Sequence, residues 1–218
     1  MLDRREMLAG AAGAGLLQGG WAGRALAQAA PTVPSGPMRF VIRVNGDEAG
    51  HHTLRFMRTP AGFTAVGSTR IRVKVAFITA YRFAQETEER WEDGAWTWYR
   101  SSGAENGDSY EVQARNTPQG ALLQGRPVRA ADLMPASFWT PQVLDSRSVI
   151  DPVKGTVVRQ SVRPQGRDPL TLGGRRVPAT AYAVDNFLDG TIWYSPDGNW
   201  LAANFDKKGH AVEYIRTG

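Results

Sequence analysis

The chain has 218 residues, no cysteine and a net charge of +5. Without cysteine it can form neither a disulfide nor a lipoprotein anchor. The modest basic excess is scattered, and no motif points to nucleic acid.

Arg4 and Arg5, followed by Met7-Leu8, an Ala/Gly-rich apolar stretch and Ala25-Leu26-Ala27, have the three parts of a twin-arginine export signal cut before Gln28. The stretch is too short and too interrupted for a stable membrane span, which takes roughly 18 strongly apolar residues. The expectation is a leader at 1–27, handled by the twin-arginine (Tat) translocase and a signal peptidase. The mature protein is then expected in the periplasm, with a flexible Pro-rich lead at 28–37 and one domain at 38–218. About 190 residues are enough for a single core that needs no staple.

From Met38 the text reads as strands cut by turns. Met38, Phe40, Ile42 and Val44 share a face. From Arg70 to Phe83, Ile71, Val73, Val75, Phe77, Thr79, Tyr81 and Phe83 alternate with Arg70, Arg72, Lys74, Ala76, Ile78, Ala80 and Arg82, so the stretch reads as one long strand. Asn45-Gly46, Asp93-Gly94, Asn106-Gly107, Asp189-Gly190, Asp197-Gly198, Lys208-Gly209 and Gly173-Gly174 are tight-turn dipeptides. Residues 122–153 are poorly patterned. No stretch has a convincing helical period. The predicted fold class is all-β: a single large curved antiparallel meander sheet, as a half-barrel, a clam or a closed barrel, because wide twisted sheets curl.

Candidate chemistry is sparse. His51 and His52 are adjacent on a strand and point to opposite faces, and His210 follows a turn, so no metal site is predicted. No phosphate loop or dinucleotide fingerprint is present, and no cofactor is expected. Ser137 lacks the frame of a known nucleophile. The pairs Asp185/Asp189 and Glu86/Glu88 read as solvent-facing, so no catalytic residue is assigned. The aromatics say more. Trp91 and Trp96 flank Asp93-Gly94, and Trp96 and Trp98, two apart, are expected to share a face. With Trp139 and Tyr81 they form the predicted lining for an apolar, lipid-like small molecule. The competing expectations are core packing, an envelope hydrolase using carboxylates assembled across strands, and a scaffold that meets an anionic partner through Arg70, Arg72 and Lys74.

FVIRVNGDEAG at 40–50, Ala80-Tyr81-Arg82-Phe83, Trp91 with Asp93-Gly94, Asn106-Gly107, Ser137-Phe138-Trp139, and Trp193-Tyr194 with Gly198 and Trp200 occur in order along the mature chain. In these the chain resembles a family of exported proteobacterial proteins known as a domain of unknown function. More distantly it is similar to periplasmic lipoprotein carriers of the LolA and LolB type. That second likeness implies a curved sheet closing over acyl chains.

Overall fold

The computed structural model describes residues 31–75, 78–130 and 132–218. The leader at 1–27 and the first residues of the lead lie outside the described residues. From Pro31 the lead has no regular structure, yet Pro31 is buried and Val33 packs against the core.

Among the described residues, eighteen strands follow. The first eight are β1 (Met38–Val44), β2 (Asp47–Thr59), β3 (Gly62–Val75), β4 (Ile78–Glu92), β5 (Ala95–Glu105), β6 (Asp108–Thr117), β7 (Gly120–Leu123) and β8 (Arg126–Val128). Then come β9 (Leu133–Pro135), β10 (Ser148–Ile150), β11 (Val157–Arg159), β12 (Ser161–Arg167), β13 (Leu170–Leu172) and β14 (Arg175–Val177). The last four are β15 (Thr180–Asp185), β16 (Gly190–Tyr194), β17 (Trp200–Lys207) and β18 (His210–Arg216). Thirteen of them make one sheet in the order β12-β15-β16-β17-β18-β1-β2-β3-β4-β5-β6-β7-β8. The all-β, curved antiparallel sheet is as expected. It does not close: β8 and β12 are its edges. The first strand joins the last, Phe40 opposite Arg216, and this seals the two meanders into one unit.

The turns obey their residues. Asn106 (φ 52°) and Gly107 (φ 101°) carry the positive φ pair that matches strand twist between β5 and β6. Gln124 (φ 51°) and Gly125 (φ 74°) do the same between β7 and β8, at a dipeptide without Asn or Asp to mark it. Curvature has its own device. A Cβ on Gly103 would lie 2.0 Å from the Ala84 carbonyl oxygen, so β4 and β5 can approach there only because the position is glycine.

Two expectations are corrected. Arg70–Phe83 is not one strand: β3 ends at Val75 and β4 begins at Ile78, with Ile71 opposite Phe83 and Val73 opposite Tyr81. The tip rungs pair Val75 with Ile78 and Lys74 with Thr79. A bulge beyond them brings odd residues opposite odd ones from Val73 and Tyr81 on, so the alternation resumes past the reversal and hides it. Nor do Trp96 and Trp98 share a face. Trp91 pairs with Trp96 but Arg90 pairs with Trp98, so Thr97 is an extra residue that bulges β5 and flips its side-chain phase.

The poorly patterned segment is a plug. β9, β10 and β11 form a small mixed sheet, joined by a 3-10 turn at Pro141–Asp145. Leu133, Phe138, Trp139, Val143, Val149 and Ile150 of this segment belong to the same buried cluster as Phe40, Leu54 and Trp91 of the large sheet. The Trp96 indole donates to the Leu133 carbonyl at 2.8 Å, and Tyr194 Oη donates to the Phe138 carbonyl at 2.8 Å. These bonds fix the plug to both flanks of the concave face.

Candidate functional site

Strand pairing sets the rows of the concave face. One row runs Phe56, Ala65, Glu89, Tyr99, Ala114, Leu123, and the next runs Met38, Leu54, Gly67, Thr87, Ser101, Val112. Beyond it lie Phe40, His52, Thr69, Gln85, Gly103 and Tyr110, and then Ile42, Gly50, Ile71, Phe83 and Glu105. The face passes from a packed end, across a polar strip, to a mouth rich in tyrosine.

The packed end is built on Glu89, which is 1% exposed. Its Oε2 accepts from the Trp91 and Trp139 indoles, both at 3.0 Å, and the Ser137 hydroxyl lies near the carboxyl. Burial raises its pKa, and Ser137 and the two indole donors pull against that rise. Trp139 lies edge-on to Trp91 (5.4 Å), Phe63 (5.5 Å) and Phe56 (5.1 Å). Phe138 between them holds φ 54°, a costly conformation for a bulky residue, secured by the bond from Tyr194. Ser137-Phe138-Trp139 is thus a clasp around one acid. Glu89 was missed in the sequence, where attention went to Glu86 and Glu88. Its signal is parity, since it shares the face of Trp91 and Phe83.

The polar strip is less satisfied. His52 Nδ1 and Thr69 Oγ1 are 2.8 Å apart, and Gln85 Nε2 donates to Ser101 Oγ at 3.1 Å. His52 sits among Phe40, Trp200 and Tyr214, with ring centroids 5.7–5.9 Å away. Desolvation, then the neighbouring His51, lowers its pKa to about 4, so it is neutral near pH 7. Its Nε2 is buried with no protein partner, and so is Tyr110 Oη. Tyr110 stacks on Phe83 at 6.4 Å, and burial pushes its pKa up to about 12. Gln85 lies near enough to temper that push but makes no well-formed hydrogen bond to it. The third such atom, Gln160 Oε1, belongs to the plug.

At the mouth, Tyr81 Oη donates to Glu105 at 3.1 Å. Tyr110 of β6 and Tyr214 of β18 are six strands apart in the sheet, yet Tyr110 still influences the ionisation of Tyr214. Tyr81, Phe83, Tyr110 and Tyr214 are all only partly buried.

The predicted lining is divided. Trp91 (2% exposed), Trp96 (2%) and Trp139 (1%) meet in the packed core. Tyr81 stands at the mouth. Trp98 is on the outer face, with the Arg90 guanidinium 4.4 Å from its ring. Among the described residues no three metal-binding side chains gather.

The chain matches the family described as Domain of unknown function (DUF6134) over residues 40–217. It belongs to that family. No curated protein matches it. Among solved structures it is similar to a beta-barrel-like protein of the domain of unknown function DUF1849 from Brucella abortus. The TM-score is 0.58 at 10% identity, covering 85% of this chain and 98% of that one. A likeness at that identity concerns the fold.

Proposed function

We propose that this DUF6134 protein is a non-enzymatic periplasmic binding or carrier protein, exported by the twin-arginine route. Its concave mouth would hold an acyl chain, an isoprenoid or a similar apolar group. One observation carries the reading. On an otherwise aromatic wall, His52 Nε2 and Tyr110 Oη are buried without protein partners. Such atoms cost about 1–3 kcal/mol each and call for an explanation. A ligand with an apolar body and one polar group supplies it: the body lies on Tyr81, Phe83 and Tyr214, and the polar group meets the strip. Neutral His52 can offer either a donor or an acceptor there. The tryptophans then shape the floor rather than touch the ligand.

The test is native mass spectrometry of the mature protein from a periplasmic extract, together with displacement of an apolar fluorescent probe by lipids. An adduct is expected, as is displacement that weakens severalfold in His52→Phe and Tyr110→Phe. A clean apo mass with no displacement would end the proposal.

A second reading draws on the Ser137 hydroxyl, which lies near the buried Glu89 carboxyl whose pKa is raised. Under it the clasp is a hydrolytic dyad that opens when Trp139 withdraws. A fluorophosphonate should then label Ser137, and labelling should vanish in Glu89→Gln. An unlabelled wild type removes this reading.

A further inference from the structure

The outer face of the β3–β4 hairpin presents the other side of the strands that line the mouth. Arg72 and Arg82 are directly opposite each other in the ladder. Like charges so placed repel, with their Cβ atoms about 4.5–5.5 Å apart. Neighbouring arginines on this face are neutralised: Arg70 by Glu86, Arg90 by Glu88 and Arg100 by Glu111. Among the described residues, neither Arg72 nor Arg82 has an acidic partner.

The pair borders an open groove of ≈ 880 Å³. It is lined by His51, Arg70, Arg72 and Arg82, by small residues such as Ala84 and Ala104, and by Ile71 and Phe83. Arg70 is fixed in place, since it also donates to the carbonyls of Thr69 (2.9 Å) and Gln85 (3.2 Å). The Asn106-Gly107 turn closes one end, with Asn106 Oδ1 accepting from the Arg82 backbone N–H at 2.9 Å.

We propose that this groove is an anion site in which Arg72 and Arg82 together clamp a phosphate-type dianion. Planar guanidinium forks match phosphate oxygens two at a time, and a dianion between them turns their repulsion into a shared contact. The small residues between the arginines leave room in the groove for such a group. The phosphate could be that of a soluble metabolite or of a lipid headgroup. The arginine pair points away from the concave mouth, although the groove and the mouth share Gly50, Ile71 and Phe83. The Arg72/Arg82 variant changes the groove alone, so the two sites can be told apart.

The test titrates the mature protein with pyrophosphate by calorimetry. In parallel it is sedimented with vesicles of phosphatidylglycerol or of phosphatidylcholine. Two double variants are compared: Arg72→Gln/Arg82→Gln, and Arg175→Gln/Arg176→Gln on β14, which loses the same charge elsewhere. The first should weaken binding about tenfold or more while its melting temperature holds or rises, as relief of repulsion requires. The second should change binding less than about twofold. Pyrophosphate binding without vesicle binding assigns a soluble phosphate. Phosphatidylglycerol binding that pyrophosphate competes away assigns a headgroup. Equal loss in both double variants, or no binding of either probe by the wild type, overturns the site.

Discussion

The two ends of the concave face are made by the same strands and differ in what lies across them. β4 supplies Glu89 and Trp91 at one end and Tyr81 and Phe83 at the other. Over the first end lies the plug, and there the polar atoms around Glu89 are answered: one carboxylate oxygen takes both indoles, and the Trp96 indole finds a plug carbonyl. Past the reach of the Trp139 clasp, the other end keeps half-buried tyrosines and two buried polar atoms without protein partners. A curved sheet alone therefore fixes neither a core nor a cavity. What the connecting segment covers decides which rows become core and which stay available.

The sharpest way to break this comparison is to remove the plug's anchor. Trp139→Ala deletes a fully buried ring that touches Phe56, Phe63 and Trp91, and takes away one of Glu89's donors. It should cost about 3–5 kcal/mol in urea unfolding, whereas Tyr81→Ala at the mouth should cost about 1–2. Equal losses would mean that the mouth is core as well.

Glu89 comes next. Glu89→Leu leaves two indole N–H groups unpaired and should cost roughly 2–3 kcal/mol. Glu89→Gln keeps an acceptor and should cost less. The pH dependence separates them further. Since the folded state holds this proton more tightly, stability is greatest at low pH. It declines as pH rises from the ordinary carboxyl value of 4.5 through the raised folded value. Glu89→Gln cannot ionise, so its stability curve should be flatter there. An unchanged slope would show that Glu89 does not titrate within the folded core.

His52 should show the opposite sign. Its folded pKa of about 4 lies below its ordinary 6.5, so the unfolded chain binds the proton first. Stability is therefore lost as pH falls through that window, by about 1.5 kcal/mol between pH 6.5 and pH 5. His52→Phe should remove this loss, leaving the Glu89 slope untouched. A ligand held by the strip should blunt it in the wild type.

Much of this sheet was legible in the sequence because alternation and turn dipeptides are local signals. Phe40, Ile42, Ile71, Val73, Tyr81 and Phe83 all face as their spacing says. What the spacing could not carry was phase. The reversal between Val75 and Ile78 is followed by a bulge that returns odd residues to face odd ones from Val73 and Tyr81 on, so nothing in the wider pattern marks it. Thr97 does the reverse, changing phase through a bulge with no glycine to announce it. Residues 122–153 were unreadable for a third reason. Their short strands and 3-10 turn are shaped by what they pack against, so Trp139 looked like a ligand wall when it is the cover on Glu89. Glu89 was readable by parity alone and was overlooked beside two acids of the other phase.

The smallest expected effect tests that phase change directly. Trp98 is partly exposed on the outer face, where it holds Arg90 by a cation–π contact, and Arg90 also has Glu88 at 3.0 Å. Trp98→Ala should therefore cost about 1 kcal/mol or less, because Arg90 keeps its second partner. Trp96→Ala, two residues away, should cost about 3 kcal/mol or more. Only the bulge at Thr97 gives two neighbours of one residue type such different fates. Probe displacement should also be the same in Trp98→Ala as in wild type. If lipid binding disappears with Trp98 while stability holds, the apolar ligand rests on the outer face, and the partnerless atoms of His52 and Tyr110 need another explanation.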